Sequence, residues 1–193
     1  MKSISSIYLQ IARVIVLIVA FDTAVVSGES EPYDRIVRDN TIIGPGLGSD
    51  GVLLNEDIEA VLKRFGRTKF KVSKPRHPEE LFANVFKTNS TKKIYFDALY
   101  HHEDNKFTAC VFQGTVMAII GFDNGHVTTD SVNLRSGINS FIYYYGNRNL
   151  ALLKADSNGI YLYSALGIAV ADDGMNDSID LYLVFAVENS GRK

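Results

Sequence analysis

From Lys93 onward this chain of 193 residues is built almost entirely of strand-like segments. Ile94–Tyr100 (IYFDALY), Lys106–Gln113 (KFTACVFQ) and Thr115–Phe122 (TVMAIIGF) are rich in β-branched and aromatic residues, which suit a pleated, half-buried surface. Ser140–Tyr145, Leu150–Ala155, Ile160–Ser164 and Ile179–Val187 continue the series. Turn signals separate them: Asp123-Asn124-Gly125 leading into His126–Asp130, Asp156-Ser157-Asn158-Gly159, and Asp172-Asp173-Gly174. The segment 164–171 (SALGIAVA) suits a strand or a short buried helix, which periodicity does not separate. Such a series predicts a mainly antiparallel sheet of roughly seven to nine strands, as a sandwich or a partly closed barrel.

Ahead of the strands the period changes to that of a helix. Ile58, Val61, Leu62 and Phe65 recur at i, i+3, i+4 and i+7. Asn55 is a good N-cap, Glu56, Asp57 and Glu59 favour a first turn, Lys63 and Arg64 a last, and Gly66 a stop. A second amphipathic helix is expected from Pro78, with Leu81, Phe82, Val85 and Phe86 on one side. Between the two, Thr68–Ser73 alternates like a strand, with Phe70 and Val72 on one face. The expected fold class is therefore α+β, with two N-terminal amphipathic helices packed on the sheet of the C-terminal half.

The first 28 residues read as an address. Lys2 provides a positive start, Val14–Phe21 (VIVLIVAF) is a short apolar core, and Thr23–Gly28 ends in small residues. Arg13 and Asp22 bound the apolar run well below the about 20 residues that span a bilayer. This predicts a signal peptide over 1–28, a flexible arm over the polar, glycine-rich residues 29–50, and a single α+β domain over 51–193. The product is then secreted, with no transmembrane segment after cleavage. The formal net charge is −2, and loss of Lys2, Arg13 and Asp22 makes it one unit more negative. A nucleic-acid partner asks for a basic face, which this balance does not offer.

Cys110 is the only cysteine, so no intrachain disulfide forms and packing alone must hold the fold. Its strand context, on one face with Thr108 and Phe112, predicts a buried, inert thiol. Asn89-Ser90-Thr91 and Asn176-Asp177-Ser178 match the N-glycosylation pattern, which makes Asn89 and Asn176 candidate acceptors on the surface of a secreted protein.

Several constellations imitate functional motifs. Gly46-Leu47-Gly48-Ser49-Asp50-Gly51 has the letters of a dinucleotide loop. It lacks the preceding buried strand, the helix beginning inside the motif and the later acid, and Asp50 would oppose a pyrophosphate, so a flexible loop is expected. His101-His102-Glu103-Asp104 invites a metal with His126 as a third ligand, but adjacent residues of an extended chain point apart, which predicts a polar hairpin tip. Asp172, Asp173, Asn176, Asp177 and Asp180 fail the EF-hand spacing and read as a solvated turn. No metal or other cofactor is expected.

Tyrosine gives the clearest surface. On the strands, Tyr143 and Tyr145 share one face, and Tyr161 and Tyr163 share another. If the faces meet, they make an aromatic platform for a sugar, a small apolar ligand or a protein; ordinary cross-strand pairing uses tyrosine equally well. The leading expectation is a secreted binding protein, non-enzymatic, recognising a protein, glycan or small apolar ligand. A secreted hydrolase using carboxylates, with or without His101, His102 or His126, is an alternative. A self-associating structural protein of an extracellular coat is another.

Overall fold

The large sheet is assembled from both ends towards its middle. In the computed structural model, which describes residues 31–74, 96–104, 107–122, 125–148, 150–155, 158–172 and 179–187, it has eight strands. β4 (Phe70–Ser73), β5 (Ala98–His102), β6 (Phe107–Phe112) and β7 (Thr115–Phe122) run inward from one edge. β9 (Leu150–Ala155), β10 (Asn158–Tyr163), β11 (Ile168–Asp172) and β12 (Leu181–Phe185) run inward from the other. β7 and β12 meet in the centre, and every neighbouring pair is antiparallel. The order is open, with β4 and β9 at opposite ends, so the sheet is not a closed barrel.

Local chemistry explains the hairpins. Gln113 and Gly114 have φ of 50° and 78°, as the type I′ turn joining Phe112 to its partner Thr115 requires. Opposite Cys110 and Val111, β7 carries one extra residue, Met117. That bulge lets Val116 and Ile119 face the same core although they are three positions apart.

Both faces of the sheet are buried. Phe107, Ala109, Val111, Val116, Ile119, Tyr163, Ile168, Val170, Tyr182 and Val184 point into one core. Leu99, Cys110, Ala118, Ile120, Ile160, Leu162, Ala169, Ala171, Leu183 and Phe185 point into the other. Burial on two sides is why the central strands read as nearly continuous apolar runs instead of clean alternation. SALGIAVA resolves accordingly, with Ser164–Gly167 forming a turn and Ile168–Asp172 a strand.

The fold is α+β, yet the helices are not the expected N-terminal pair. The first expected helix is α2, Ile58–Phe65, shorter than its sequence pattern. Its cap is Asp57, which accepts from the Glu59 N–H at 2.8 Å, while Asn55 turns away at φ 64°. Arg64 grips both oxygens of Glu56 at 2.7 and 2.8 Å and donates to the Gly51 carbonyl at 2.9 Å, tying α2 to the preceding loop. The expected helix from Pro78 lies outside the described residues, as do the N-terminal address segment, both sequons, and Asp173, Asn176 and Asp177.

Residues 29–50 were expected as a flexible arm; instead α1 spans Glu31–Arg38 and β1 spans Ile42–Gly44. Ile36 of α1 is fully buried, and a Cβ at Gly44 would stand 2.4 Å from its Cδ1, so the glycine is what lets helix and strand close together. β1 pairs antiparallel with β2 (Gly48–Ser49) and parallel with β8 (Val127–Thr128), and β3 (Val52–Leu53) completes a small second sheet.

The expected strand Ser140–Tyr145 is helical: α3 spans Gly137–Tyr145. Three consecutive tyrosines carry a strong strand propensity, but Ile138, Phe141, Ile142 and Tyr145 have helical spacing and pack on the core. Gly146, at φ 75°, ends the helix by donating its N–H to the Ile142 carbonyl at 2.8 Å.

Candidate functional site

The glycine-rich letters at Gly46–Gly51 form a hairpin, not a loose loop. Asp50 and Gly51, with φ of 54° and 76°, make the two-residue turn between Ser49 and its partner Val52. This turn aims Asp50 inward, onto the strand seam at the centre of the large sheet. Asp50, His126 and Tyr182 are each 3 % exposed or less. The Asp50 Oδ1 lies 3.2 Å from His126 Nε2, the Tyr182 hydroxyl donates to Asp50 Oδ2, and that hydroxyl is 3.1 Å from His126 Nε2. A buried carboxyl group is costly unless partners satisfy it; here the Tyr182 phenol donates to it and the His126 imidazole lies within hydrogen-bond distance.

Gly121 makes the cluster fit. It is the cross-strand partner of Tyr182, and a Cβ there would fall 2.2 Å from the tyrosine hydroxyl and 2.3 Å from Cζ. A carboxylate, imidazole and phenol in contact can pass a proton. All three are buried, and their contacts make a polar pin that fastens the β2–β3 hairpin to β12. Sequence reasoning missed Asp50 and Tyr182 as partners. The available signal was the Asp-Gly pair between Ser49 and Val52, a two-residue hairpin signature.

The histidines do not converge. His101 sits between hydroxyls, with Ser73 Oγ 2.9 Å from Nε2 and Thr108 Oγ1 2.9 Å from Nδ1. His102 points to the other face of β5 and is buried. It stacks on Phe107 (5.2 Å between centroids, 4° between planes) and meets Phe70 and Phe65 edge-on at 4.8 and 5.4 Å. Burial holds its pKa below the ordinary histidine value. The neighbouring tip is polar, and Glu103 and Asp104 pair with Lys71 and Lys69 at 2.5 and 2.6 Å. Among the described residues no three His, Cys, Asp or Glu side chains are grouped to hold a metal ion.

The four tyrosines divide. Tyr145 and Tyr163 come together, ring centroids 5.9 Å apart, with Phe141 4.7 and 5.6 Å from them. This is packing and not a platform: Tyr163 is 1 % exposed, and its hydroxyl has no partner among the described residues. Tyr145 is half-buried, its hydroxyl bonding Thr128 Oγ1 and Asp130 Oδ2 at 3.0 Å each, and burial raises its pKa well above the usual phenol range. Tyr161 stands on the Tyr163 face of β10, opposite Leu152 of β9. Tyr143 does not share a face with Tyr145, because both lie on a helix; it is 92 % exposed.

Helical geometry creates a surface that strand reasoning could not foresee. The outward positions of α3 are Asn139, Ser140, Tyr143 and Tyr144, two i,i+4 rows without a charge. Tyr144 is 56 % exposed and rests edge-on against Tyr145 at 5.0 Å. Tyrosine is a residue type that binding surfaces favour, since it offers a large, stiff, amphipathic contact at low conformational cost.

Cys110 is buried in the second core, opposite Ala118. No helix among the described residues is long and apolar enough to cross a membrane. No family model, curated protein or solved structure matches the chain.

Proposed function

We propose that this chain is a secreted binding protein that recognises an extracellular protein, glycan or small apolar ligand through the outer face of α3. The observation that carries the reading is Tyr143, 92 % exposed beside Tyr144 at 56 %, on a helix face with no charged residue. Single exposed apolar residues are ordinary, but adjacent exposed tyrosines that add nothing to the core suit the centre of an interface. The Lys2, Val14–Phe21 and Thr23–Gly28 pattern supports export, and Asn89 and Asn176 are then glycan acceptors.

The test is a binding screen of the purified chain against glycans, extracellular protein domains and amphiphilic dyes, with a Tyr143→Ala/Tyr144→Ala variant alongside. The variant should unfold at the wild-type midpoint and bind the wild-type ligand about tenfold or more weakly, as loss of interface hot spots does. A ligand held equally by both forms would place recognition elsewhere and defeat the reading. Export is checked separately by intact mass of material from a secreting host.

A hydrolytic reading draws on Ser73, His101 and Thr108. A hydroxyl 2.9 Å from an imidazole nitrogen is the spacing of a nucleophile and its base. The group orienting the ring is Thr108, so among the described residues no carboxylate is hydrogen-bonded to it in the position that stabilises an imidazolium. Covalent labelling of Ser73 by a fluorophosphonate, abolished by His101→Ala, would favour this reading over binding; absence of labelling removes it.

A further inference from the structure

The two edges of the large sheet are finished differently. β4 is four residues long, and the lysines in and beside it, Lys69 and Lys71, are paired with Asp104 and Glu103. Short length and charge are how natural sheets blunt an edge against further strands. β9 has six residues (LALLKA), pairs with β10 through six consecutive positions without a bulge, and carries one charge, Lys154. Leu152 on it is 54 % exposed, and among the described residues no strand lies on its outer side. A long, regular, mostly apolar edge is a template for strand addition.

We propose that β9 pairs antiparallel with β9 of a second copy, about a two-fold axis passing at Leu152, so that two large sheets become continuous. The charge pattern selects a second copy. Centred on Leu152, the register sets Leu152 against its own copy, Ala151 against Leu153, and Leu150 against Lys154, so the one charge of each strand never faces its like. The net charge of −2 adds little repulsion between whole copies. An acidic partner strand would find a single lysine to answer it, whereas an identical strand buries the exposed leucine on both sides.

Sedimentation of the purified chain from about 1 µM to about 1 mM covers weak and standard interfaces. A reversible monomer–dimer equilibrium is expected. Leu152→Lys sets like charges across the axis and should weaken the dimer about tenfold or more, while Tyr143→Ala leaves it unchanged. A chain monomeric throughout the range, or a dimer indifferent to Leu152→Lys, overturns the proposal. Register is tested by oxidation. Leu152→Cys should form an intermolecular disulfide, because directly opposed antiparallel residues are about 4.5–5.5 Å apart at Cα. Leu150→Cys should not, and the reverse pattern would rule out pairing centred at Leu152.

Discussion

Tyr182 lies across the face of Gly121, and the missing Cβ of that glycine is the space in which its hydroxyl reaches Asp50. A side chain at residue 121 therefore acts on a hairpin far away in sequence. Gly121→Ala should displace the ring and cost about 2 kcal/mol or more, combining overpacking with loss of a buried hydrogen bond. The check is a double-mutant cycle by urea unfolding. Gly121→Ala should add little once Tyr182→Ala has emptied the site, and full additivity would show that the two do not meet.

Tyr182→Phe removes only a hydroxyl, leaving the buried Asp50 Oδ2 without that donor. A cost of about 1–3 kcal/mol is expected, because an unsatisfied buried acceptor bears its full desolvation penalty. Asp50→Asn should be less well tolerated than its size suggests, since an amide presents one acceptor oxygen where the carboxylate presents two. Hydrogen exchange should locate the loss at Ser49–Val52, and uniform loosening over the sheet would refute the pin.

His102 gives stability a pH dependence of known sign. Its pKa in the fold is depressed by burial among Phe65, Phe70 and Phe107, so the unfolded chain takes up the proton first. Stability is complete above the ordinary value of 6.5 and falls as pH drops from there towards the folded-state pKa. Asp39 and Asp104, also depressed, act only below about 4, starting from 3.8. Urea midpoints between pH 7.5 and pH 5 should thus fall less for His102→Leu than for the wild type. Equal slopes would show that His102 is not the group responsible.

The two sides of α3 should respond oppositely to truncation. Phe141 is fully buried, and Phe141→Ala should cost about 3–5 kcal/mol. Tyr143→Ala removes a ring that is 92 % exposed and should change the unfolding free energy by no more than about 0.5 kcal/mol. If Tyr143→Ala destabilises as Phe141→Ala does, the exposed face is part of a core and not a surface for recognition.

Cys110 is 1 % exposed, so a thiol reagent should modify it only when the sheet opens. Stoichiometric labelling within seconds in native buffer would contradict the burial.

Sequence alone settled what depends on neighbours along the chain. The strands Phe107–Phe112 and Thr115–Phe122 and the buried face of α2 were legible because side-chain period and turn chemistry are local properties. Cys110 was placed inside by its strand context. Where two local signals conflicted, as in FIYYY, propensity pointed to a strand while the spacing of Ile138, Phe141 and Tyr145 against a waiting core made a helix. Period tells a residue which face it shares but not which strand will lie beside it. The pairing of β7 with β12, and the meeting of Asp50 with His126 and Tyr182 across 76 and 132 positions, were decided by tertiary structure. There an acidic side chain is buried, and groups carried in from distant parts of the chain satisfy it.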